Sequence, residues 1–177
     1  MKTSNFFNVC AFAMVFSVVT SLSVNAQGKL SDAEVASVAV IANQSDIDFA
    51  AIAKEKSKNK EVLRFAETMT NDHKAVIAQA VALVTKLGVT PKENAVGKGM
   101  QADAENTKKL LKSKNGKEFD KAYIDNEVAY HQAVIGAVET VLIPESENAE
   151  LKALLTSILP ALKAHLAQAQ GVQKNLK

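Results

Sequence analysis

Three histidines carry most of the chemical potential of this sequence, and all three interrupt apolar helical stripes. In the stretch 65–80, "FAETMTNDHKAVIAQA", His73 falls where the next buried residue is due. His131 and His165 interrupt two other stripes, and Asp46 interrupts a fourth. Neutral imidazole and carboxylate are ligands that suit zinc, copper, iron and similar transition metals. The pattern therefore predicts one metal-competent side chain pointing inward from each of four helices.

Three further residues are predicted to belong to the same site. Glu127 lies four residues before His131, on the same helical face, and is a further candidate ligand. Asp72, at the edge of its stripe, and Tyr123, a core or rim residue, are predicted to contact the ligands rather than the ion. The cofactor expected from this set is one transition-metal ion, either zinc, copper or iron.

Two other interpretations of the histidines stay open at this point. A buried histidine is commonly an ordinary hydrogen-bonded core residue, so the three can form a buried polar network in which Asp46 pairs with His73. An enzyme with a metal-activated water needs an open coordination position, which a sequence does not reveal. The sequence contains no Gly-rich phosphate loop, no H-E-x-x-H and no G-x-S-x-G. No catalytic residues are predicted.

The first 26 residues have the pattern of a secretory signal peptide. Lys2 precedes a largely apolar run over 6–23, and Val24 and Ala26 are the small residues before a cleavage point. Residues 1–26 are therefore predicted to be the signal peptide and residues 27–177 a single helical domain. An uncleaved membrane anchor is the alternative, because the run approaches the length that spans a bilayer. Cleavage is favoured by the polar residues within the run, and it leaves no transmembrane segment in the mature chain.

The composition of the mature chain excludes several classes of protein. Removing residues 1–26 removes one lysine and no acidic residue, leaving 20 basic and 19 acidic residues. Such a balance argues against a nucleic-acid partner, which would normally meet a clustered basic face. The single cysteine, Cys10, lies in the predicted signal peptide, so disulfides and thiolate metal sites are excluded. A protein partner is not indicated.

The rest of the sequence predicts an all-α fold. Alanine, leucine, lysine and glutamate favour helix, and long amphipathic segments are separated by short turns. We expect long helices over 31–56, 60–87, 118–142 and 149–170, and a weaker helix over 96–113. The weaker helix is expected to turn one side inward, with Val96, Met100, Ala104 and Leu110/Leu111. Ser31 with Glu34 forms a capping box, Asn59 caps the second helix and Gly88 ends it. Pro144 is expected to stop the helix over 118–142, and Pro160 to kink the helix over 149–170.

Four long amphipathic helices in one domain predict a four-helix bundle. The weak helix, at about 1.5 Å per residue, would climb about 27 Å and act as a crossover, as in ferritin-like bundles. Simple up-and-down packing with an extra short helix is the alternative. Counted from the predicted helix ends, His73, His131 and Asp46 lie near the same height. His165 lies about one turn away from His131.

Three segments resemble the domain-of-unknown-function 4142 family. They are "FAETMTNDHKAV" (65–76), "FDKAYIDNEVAYHQAVI" (119–135) and "ILPALKAHLAQAQ" (158–170), in the family's order, and the resemblance spans residues 30–172. It implies an exported bacterial protein with a ferritin-like fold, periplasmic and often labelled an outer-membrane protein. It also implies that the three histidines are recurrent in the family, with an acidic residue at the position of Asp46.

The resemblance implies a fold more than an activity. Typical ferritin-like di-iron sites use two E-x-x-H motifs, whereas the nearest pattern here is E-x-x-x-H at 127–131. This difference favours a mononuclear, histidine-rich site over a di-iron oxidase. The leading expectation is an exported metal-binding bundle involved in metal handling or stress protection. The alternative is a structural or interaction module with a buried histidine hydrogen-bond network.

Overall fold

The computed structural model describes residues 28–176, which contain six helices and one π-helical turn. The predicted signal peptide lies outside the described residues. The bounds of the elements are α1 Asp32–Lys56, α2 Lys60–Lys86, α3 Ala95–Ser113, α4 Gly116–Ala137, the π-turn Val138–Leu142, α5 Ile143–Glu145 and α6 Ala149–Asn175.

The first two helices form an antiparallel hairpin whose ends are capped as the sequence predicts. The Glu34 carboxylate accepts hydrogen bonds from the backbone N–H and hydroxyl of Ser31 at the start of α1. The Asn59 side chain accepts from the first backbone amides of α2. Gly88 follows α2 with a φ of 65°, a left-handed conformation that glycine adopts without strain. These local signals explain why the helix bounds lie close to the predicted ones.

The weak helix, α3, is the crossover of the bundle. It runs alongside α1 in the same direction: Asn94 donates to the backbone carbonyl of Glu34 near one end, and Lys56 to that of Lys112 near the other. The buried hydroxyl of Ser57 donates to Asp120, which places the start of α4 beside the start of α2. Helices α2 and α4 are therefore parallel, as in the predicted ferritin-like four-helix bundle.

The inward face of α3 differs from the prediction at one position. The sequence placed Leu110 and Leu111 together on the inward side, but Leu111 is buried and Leu110 is 55% exposed. Successive helical residues point about 100° apart at 3.6 residues per turn, so both cannot face the core.

The prediction that Pro144 stops the helix over 118–142 was wrong. The helical path continues through the π-turn into α5 and ends at Glu145. In the π-turn the N–H of Ile143 bonds to the carbonyl of Val138, five residues back. Pro144 follows as one of the first two residues of α5, where a missing N–H is tolerated.

The last helix, α6, continues five residues beyond its predicted end. Val172 is buried against the core and Leu176 packs there, so the chain gains apolar burial by remaining helical past Gly171. Pro160 lies inside α6 without ending it. His131 lies 14 residues before Glu145, and His165 lies 16 residues after Ala149. The difference in height between the two histidines is therefore about 3 Å, less than the turn expected from the sequence.

Two apolar clusters fill the two ends of the bundle. One lies at the end near Ser57 and includes Phe49, Phe65 and Tyr123. The other lies at the end near Leu30 and includes Val38 and Leu155. The buried polar residues Asp46, His73, His131 and His165 occupy the level between the clusters.

Among the described helices, α1 alone is long and apolar enough to cross a membrane by length and composition. Its most apolar 18-residue window is 67% buried against the other helices. The central helix of a bundle passes the same test, so this property is accounted for by the core of the fold.

Candidate metal centre

Three imidazole rings from three helices converge at the middle of the bundle. The ring centroids of His73 and His131 are 5.8 Å apart, those of His73 and His165 5.3 Å, and those of His131 and His165 5.5 Å. All three residues are at least 95% buried. The packing of α2, α4 and α6 thus brings together residues that are far apart in sequence.

A hydrogen bond on one ring nitrogen orients each histidine. Nδ1–H of His73 donates to the Asn43 side-chain oxygen at 2.7 Å, and Nδ1–H of His131 donates to the backbone carbonyl of Glu127 at 2.9 Å. Nε2–H of His165 donates to the Asp72 carboxylate at 2.9 Å. Because each acceptor is an oxygen without a proton, each neutral ring keeps its lone pair on the other nitrogen.

The lone-pair nitrogens have no hydrogen-bond partner among residues 28–176. They are Nε2 of His73, Nε2 of His131 and Nδ1 of His165. One nitrogen from each of the three histidines lies within 4.8 Å of the other two. Oxygen acceptors on the far side of imidazole ligands are typical of metal-binding histidines, because they set the tautomer and the ring orientation.

Asp46 on α1 contributes a carboxylate to the same centre. Its Oδ2 lies 3.3 Å from Nε2 of His73 and 3.6 Å from Nε2 of His131, and the side chain is completely buried. Neither of its oxygens makes a hydrogen bond within the described part of the chain. A buried carboxylate without a partner costs stability, so this residue calls for a cation or a proton.

Burial keeps two of the histidines in their neutral form. The pKa of His131 is lowered chiefly by desolvation, although the nearby Asp46 carboxylate acts to raise it. The pKa of His165 is lowered by the same cause, against the hydrogen bond to Asp72. Imidazole binds metal only when it is unprotonated, so the lowered pKa values leave these ligands available at neutral pH.

Glu127 lies beside this group but not within it. Its Oε2 is 3.6 Å from Nδ1 of His131, the nitrogen that already donates to a backbone carbonyl. Glu127 forms a second cluster with Asp46 and His131, distinct from the three-histidine cluster. Burial and the Asp46 charge raise the pKa of Glu127 well above its usual value. The five predicted ligands are therefore close together but form two overlapping groups.

Asp72 and Tyr123 differ in their relation to the site. Asp72 contacts His165 directly, as described above. Tyr123 is fully buried in the aromatic cluster with Phe65 and Phe119, and its hydroxyl has no hydrogen-bond partner within residues 28–176. Burial, and then the nearby charges of Glu127 and Asp46, raise the pKa of this hydroxyl well above its usual value.

Asn43 orients His73 and was not predicted as part of the site. Its amide group donates to the carbonyl of Ala39 at 2.7 Å, which leaves its oxygen facing the imidazole. The available signal was its position three residues before Asp46 on α1, where a second polar residue interrupts the same stripe.

The residues present fit a transition-metal ion. Two nitrogens bound to one zinc ion lie at most about 4.2 Å apart, twice a Zn–N bond of about 2.1 Å. One nitrogen of each ring lies within 4.8 Å of one nitrogen of each of the other two, a separation slightly above that limit. Asp46, whose Oδ2 lies near Nε2 of His73 and of His131, would add a carboxylate to the three imidazoles, and zinc, copper and iron accept such donors.

An apolar cavity of about 160 Å³ adjoins the centre on the side away from Glu127. Asp46, His73 and His131 line one end of it. The remaining walls come from aliphatic side chains of α1, α3, α4, the π-turn and α6, among them Val38, Met100, Val138, Leu155 and Leu162.

Fold and site together define a ferritin-like helical bundle with a cluster of histidines and carboxylates in its core. The chain belongs to the family described as "Domain of unknown function (DUF4142)", whose model matches residues 19–172. A comparison with curated proteins finds no match. The solved structure described as "CopM in the Cu(II)-bound form" is similar with a TM-score of 0.62 and 18% identity, covering 85% of this chain and all of that one. At this identity the likeness concerns the fold.

Proposed function

We propose that this protein is an exported, periplasmic metal-binding bundle that holds one transition-metal ion through His73, His131, His165 and Asp46. The observation that carries the proposal is the arrangement of the three imidazoles. Each has an oxygen acceptor on one nitrogen and no hydrogen-bond partner on the other among residues 28–176, and the three ring centroids lie 5.3–5.8 Å apart. An ion there would give every one of these atoms a partner.

The competing interpretation, a buried hydrogen-bond network, fits the contacts less well. In such a network the free nitrogens and the Asp46 carboxylate would be satisfied by one another. In the described chain they are not, although Asp46 and His73 approach to 3.3 Å. Each buried polar group left without a partner costs about 1–3 kcal/mol, which disfavours a purely structural role for the cluster.

Two further observations support metal handling outside the cytoplasm. The similar fold of CopM was solved with Cu(II) bound, which makes copper the first ion to test, followed by zinc and iron. Residues 1–26 have the pattern of a cleaved export signal, and the mature domain has no cysteine to provide thiolate ligands. Metal handling and stress protection are both compatible with these features.

Elemental analysis of untagged protein, purified without chelator or added metal, tests the proposal. We expect about one equivalent of a transition metal, which H131Q should lose while retaining the helical circular dichroism spectrum. Q132A, an exposed neighbour on the same helix, is the matched control and should keep the metal.

Metal-free wild-type protein that also fails to bind added Cu(II), Zn(II) or Fe(II) at micromolar concentration would overturn the proposal. The histidines would then form a structural network, and H131Q would change only the free energy of unfolding.

A further inference from the structure

The two ends of the bundle differ in charge, although the mature chain as a whole is nearly balanced. Two lysine-rich runs, "KEKSKNK" (54–60) and "KSKNGK" (112–117), contain seven lysines and one acidic residue. The first run includes the turn between α1 and α2, and the second includes the turn between α3 and α4. Although the two turns are far apart in the sequence, the fold places them close together.

Contacts between the helix ends bring the two runs to one end of the bundle. Nζ of Lys56 donates to the backbone carbonyl of Lys112. The last turn of α6 lies there too, since Asn175 donates to the Glu61 carboxylate at the start of α2. We call this surface the basic end, and it consists of residues 54–61, 112–121 and 171–176.

The basic end has a net positive charge that the rest of the protein balances. Its three segments contain nine lysines and four acidic residues. The rest of residues 28–176 contains ten basic and fifteen acidic residues, so a net charge of +5 at this end is balanced by −5 elsewhere. This separation of charge gives the basic end a positive potential, which attracts an anionic surface.

Most lysines of the basic end are free to contact a partner. Lys54, Lys114 and Lys121 form ion pairs with acidic side chains of the protein. Five others are exposed and have no ion pair within residues 28–176, namely Lys58, Lys60, Lys112, Lys117 and Lys174. Their ammonium groups are therefore available to an external anion.

The other residues near these lysines favour a lipid bilayer over a nucleic acid. The basic end contains no arginine, the residue that binds phosphates and bases through paired hydrogen bonds. Its one aromatic residue, Phe119, is buried and cannot stack on a base. Leu110, in the last turn of α3, is 55% exposed. An exposed leucine near lysines is stabilised at the boundary between lipid headgroups and acyl chains, and gains little from a sugar–phosphate backbone.

We propose that the basic end binds the surface of a bilayer that contains anionic phospholipids. The exposed lysines contact the lipid phosphates, and Leu110 lies at the edge of the contact. The bundle axis then points away from the bilayer. The metal centre lies about 22 Å from the surface, because His131 follows Gly116 by 15 residues at about 1.5 Å each. The contact needs no metal, so the inference is independent of the proposed function.

Sedimentation with lipid vesicles tests the inference on the exported form, residues 27–177. At about 0.1 M salt we expect binding to vesicles of phosphatidylcholine with about one third phosphatidylglycerol, and none to phosphatidylcholine alone. Binding should be lost at about 1 M salt, because the ions screen the attraction. Equal binding to the two kinds of vesicle, or no binding to the anionic ones, would overturn the inference.

A matched pair of double substitutions tests the location. K58Q/K112Q removes two exposed lysines of the basic end and should weaken vesicle binding at least about tenfold, since one lysine near an anionic surface contributes about fivefold. K74Q/K152Q makes the same change in net charge at exposed positions elsewhere and should leave binding within about twofold. Equal losses in the two variants would show that net charge, and not the basic end, governs the binding.

Acetylation of lysines in the wild-type protein, measured by mass spectrometry, tests the same contact without a substitution. Anionic vesicles should protect Lys58, Lys112 and Lys117 and leave Lys74 and Lys152 reactive. Equal protection of both groups would contradict the assignment. A DNA duplex that protects the same three lysines and displaces the vesicles at equal phosphate concentration would overturn the choice of a bilayer. Metal content is measured separately, so failure of either proposal leaves the other standing.

Discussion

Oδ2 of Asp46 lies 3.3 Å from Nε2 of His73, and neither atom has a hydrogen-bond partner within the part of the chain described. The two residues belong to the antiparallel helices α1 and α2, which pack together in the apolar cluster that includes Phe49 and Phe65. The bundle therefore holds a carboxylate and an imidazole within ion-pair distance of each other but without a hydrogen bond between them. This relationship separates a metal site from a structural pair, and it leads to the first prediction.

Substitution of Asp46 by asparagine should change stability and metal binding in opposite directions. D46N removes a buried charge without a partner, so the metal-free protein should gain about 1–3 kcal/mol in free energy of unfolding. The same change removes a charged ligand and should weaken metal binding. Urea denaturation in chelator and a metal titration measure the two effects.

The matched control for D46N is D48N, on the same helix. Asp48 is partly exposed and pairs with Lys108, so its substitution should alter neither quantity by much. A metal-free D46N protein that is less stable than the wild type would show that Asp46 has a structural partner.

Glu127 should make the stability of the metal-free protein depend on pH. Its pKa in the folded chain is raised above the ordinary value of 4.5, first by burial and then by Asp46. The folded state therefore holds a proton that the unfolded state releases. This contribution is complete below about pH 4.5 and is lost as the pH rises toward the raised pKa.

Substitution of Glu127 by glutamine isolates that contribution. The stability of E127Q relative to the wild type should increase as the pH rises above about 4.5, because glutamine has no proton to lose. Urea denaturation from pH 4 to pH 8 in chelator measures the difference. The subtraction removes the opposing effect of His131 and His165, whose lowered pKa values make stability fall as the pH falls below 6.5. A difference that is independent of pH would contradict the assignment.

Asp72 should increase the metal affinity of the protein but contribute little to its stability. Its carboxylate accepts the Nε2–H of His165 at 2.9 Å, yet its side chain is 51% exposed. Substitution of such a supporting acceptor typically costs about 10–100-fold in metal affinity. D72A should show a loss of this order in a competition titration with a chromophoric chelator.

The thermal midpoint distinguishes this role of Asp72 from a structural one. It should change little in metal-free D72A, as in the neighbouring control N71A, whose side chain is exposed. An unchanged metal affinity in D72A would mean that His165 is oriented by packing alone.

The hydrogen bond between Ser57 and Asp120 should stabilise the crossover. The Ser57 hydroxyl donates to Asp120 at 2.5 Å in a buried position, where it joins the turn before α2 to the start of α4. S57A leaves the carboxylate without this donor and should cost about 1–3 kcal/mol. Chemical denaturation measures the loss, and S113A, at an exposed serine on α3, is the control.

The metal content of S57A should equal that of the wild type, since Ser57 lies at the end of the bundle and not at the centre. Loss of metal together with stability would indicate that the centre depends on the exact position of the start of α4.

The sequence by itself determined the helices, their caps and the inward direction of the histidines. These properties depend on a period of about 3.6 residues and on local hydrogen bonds, as with Ser31 and Glu34 or Asn59. The family resemblance, confirmed by the match over residues 19–172, agrees with the same bundle.

Only the tertiary structure decided which of the buried polar residues lie close together. The periodicity of the sequence shows which face of its helix a side chain lies on. The height of that side chain along the bundle axis depends instead on where the chain turns between helices. The helical path that begins with α4 continues through the π-turn and ends at Glu145, beyond Pro144. As a result, His131 lies level with His165. Contacts between helices also decide three other features: the role of Asn43, the exclusion of Glu127 from the histidine cluster and the cavity beside Ala137. No local sequence pattern encodes such contacts.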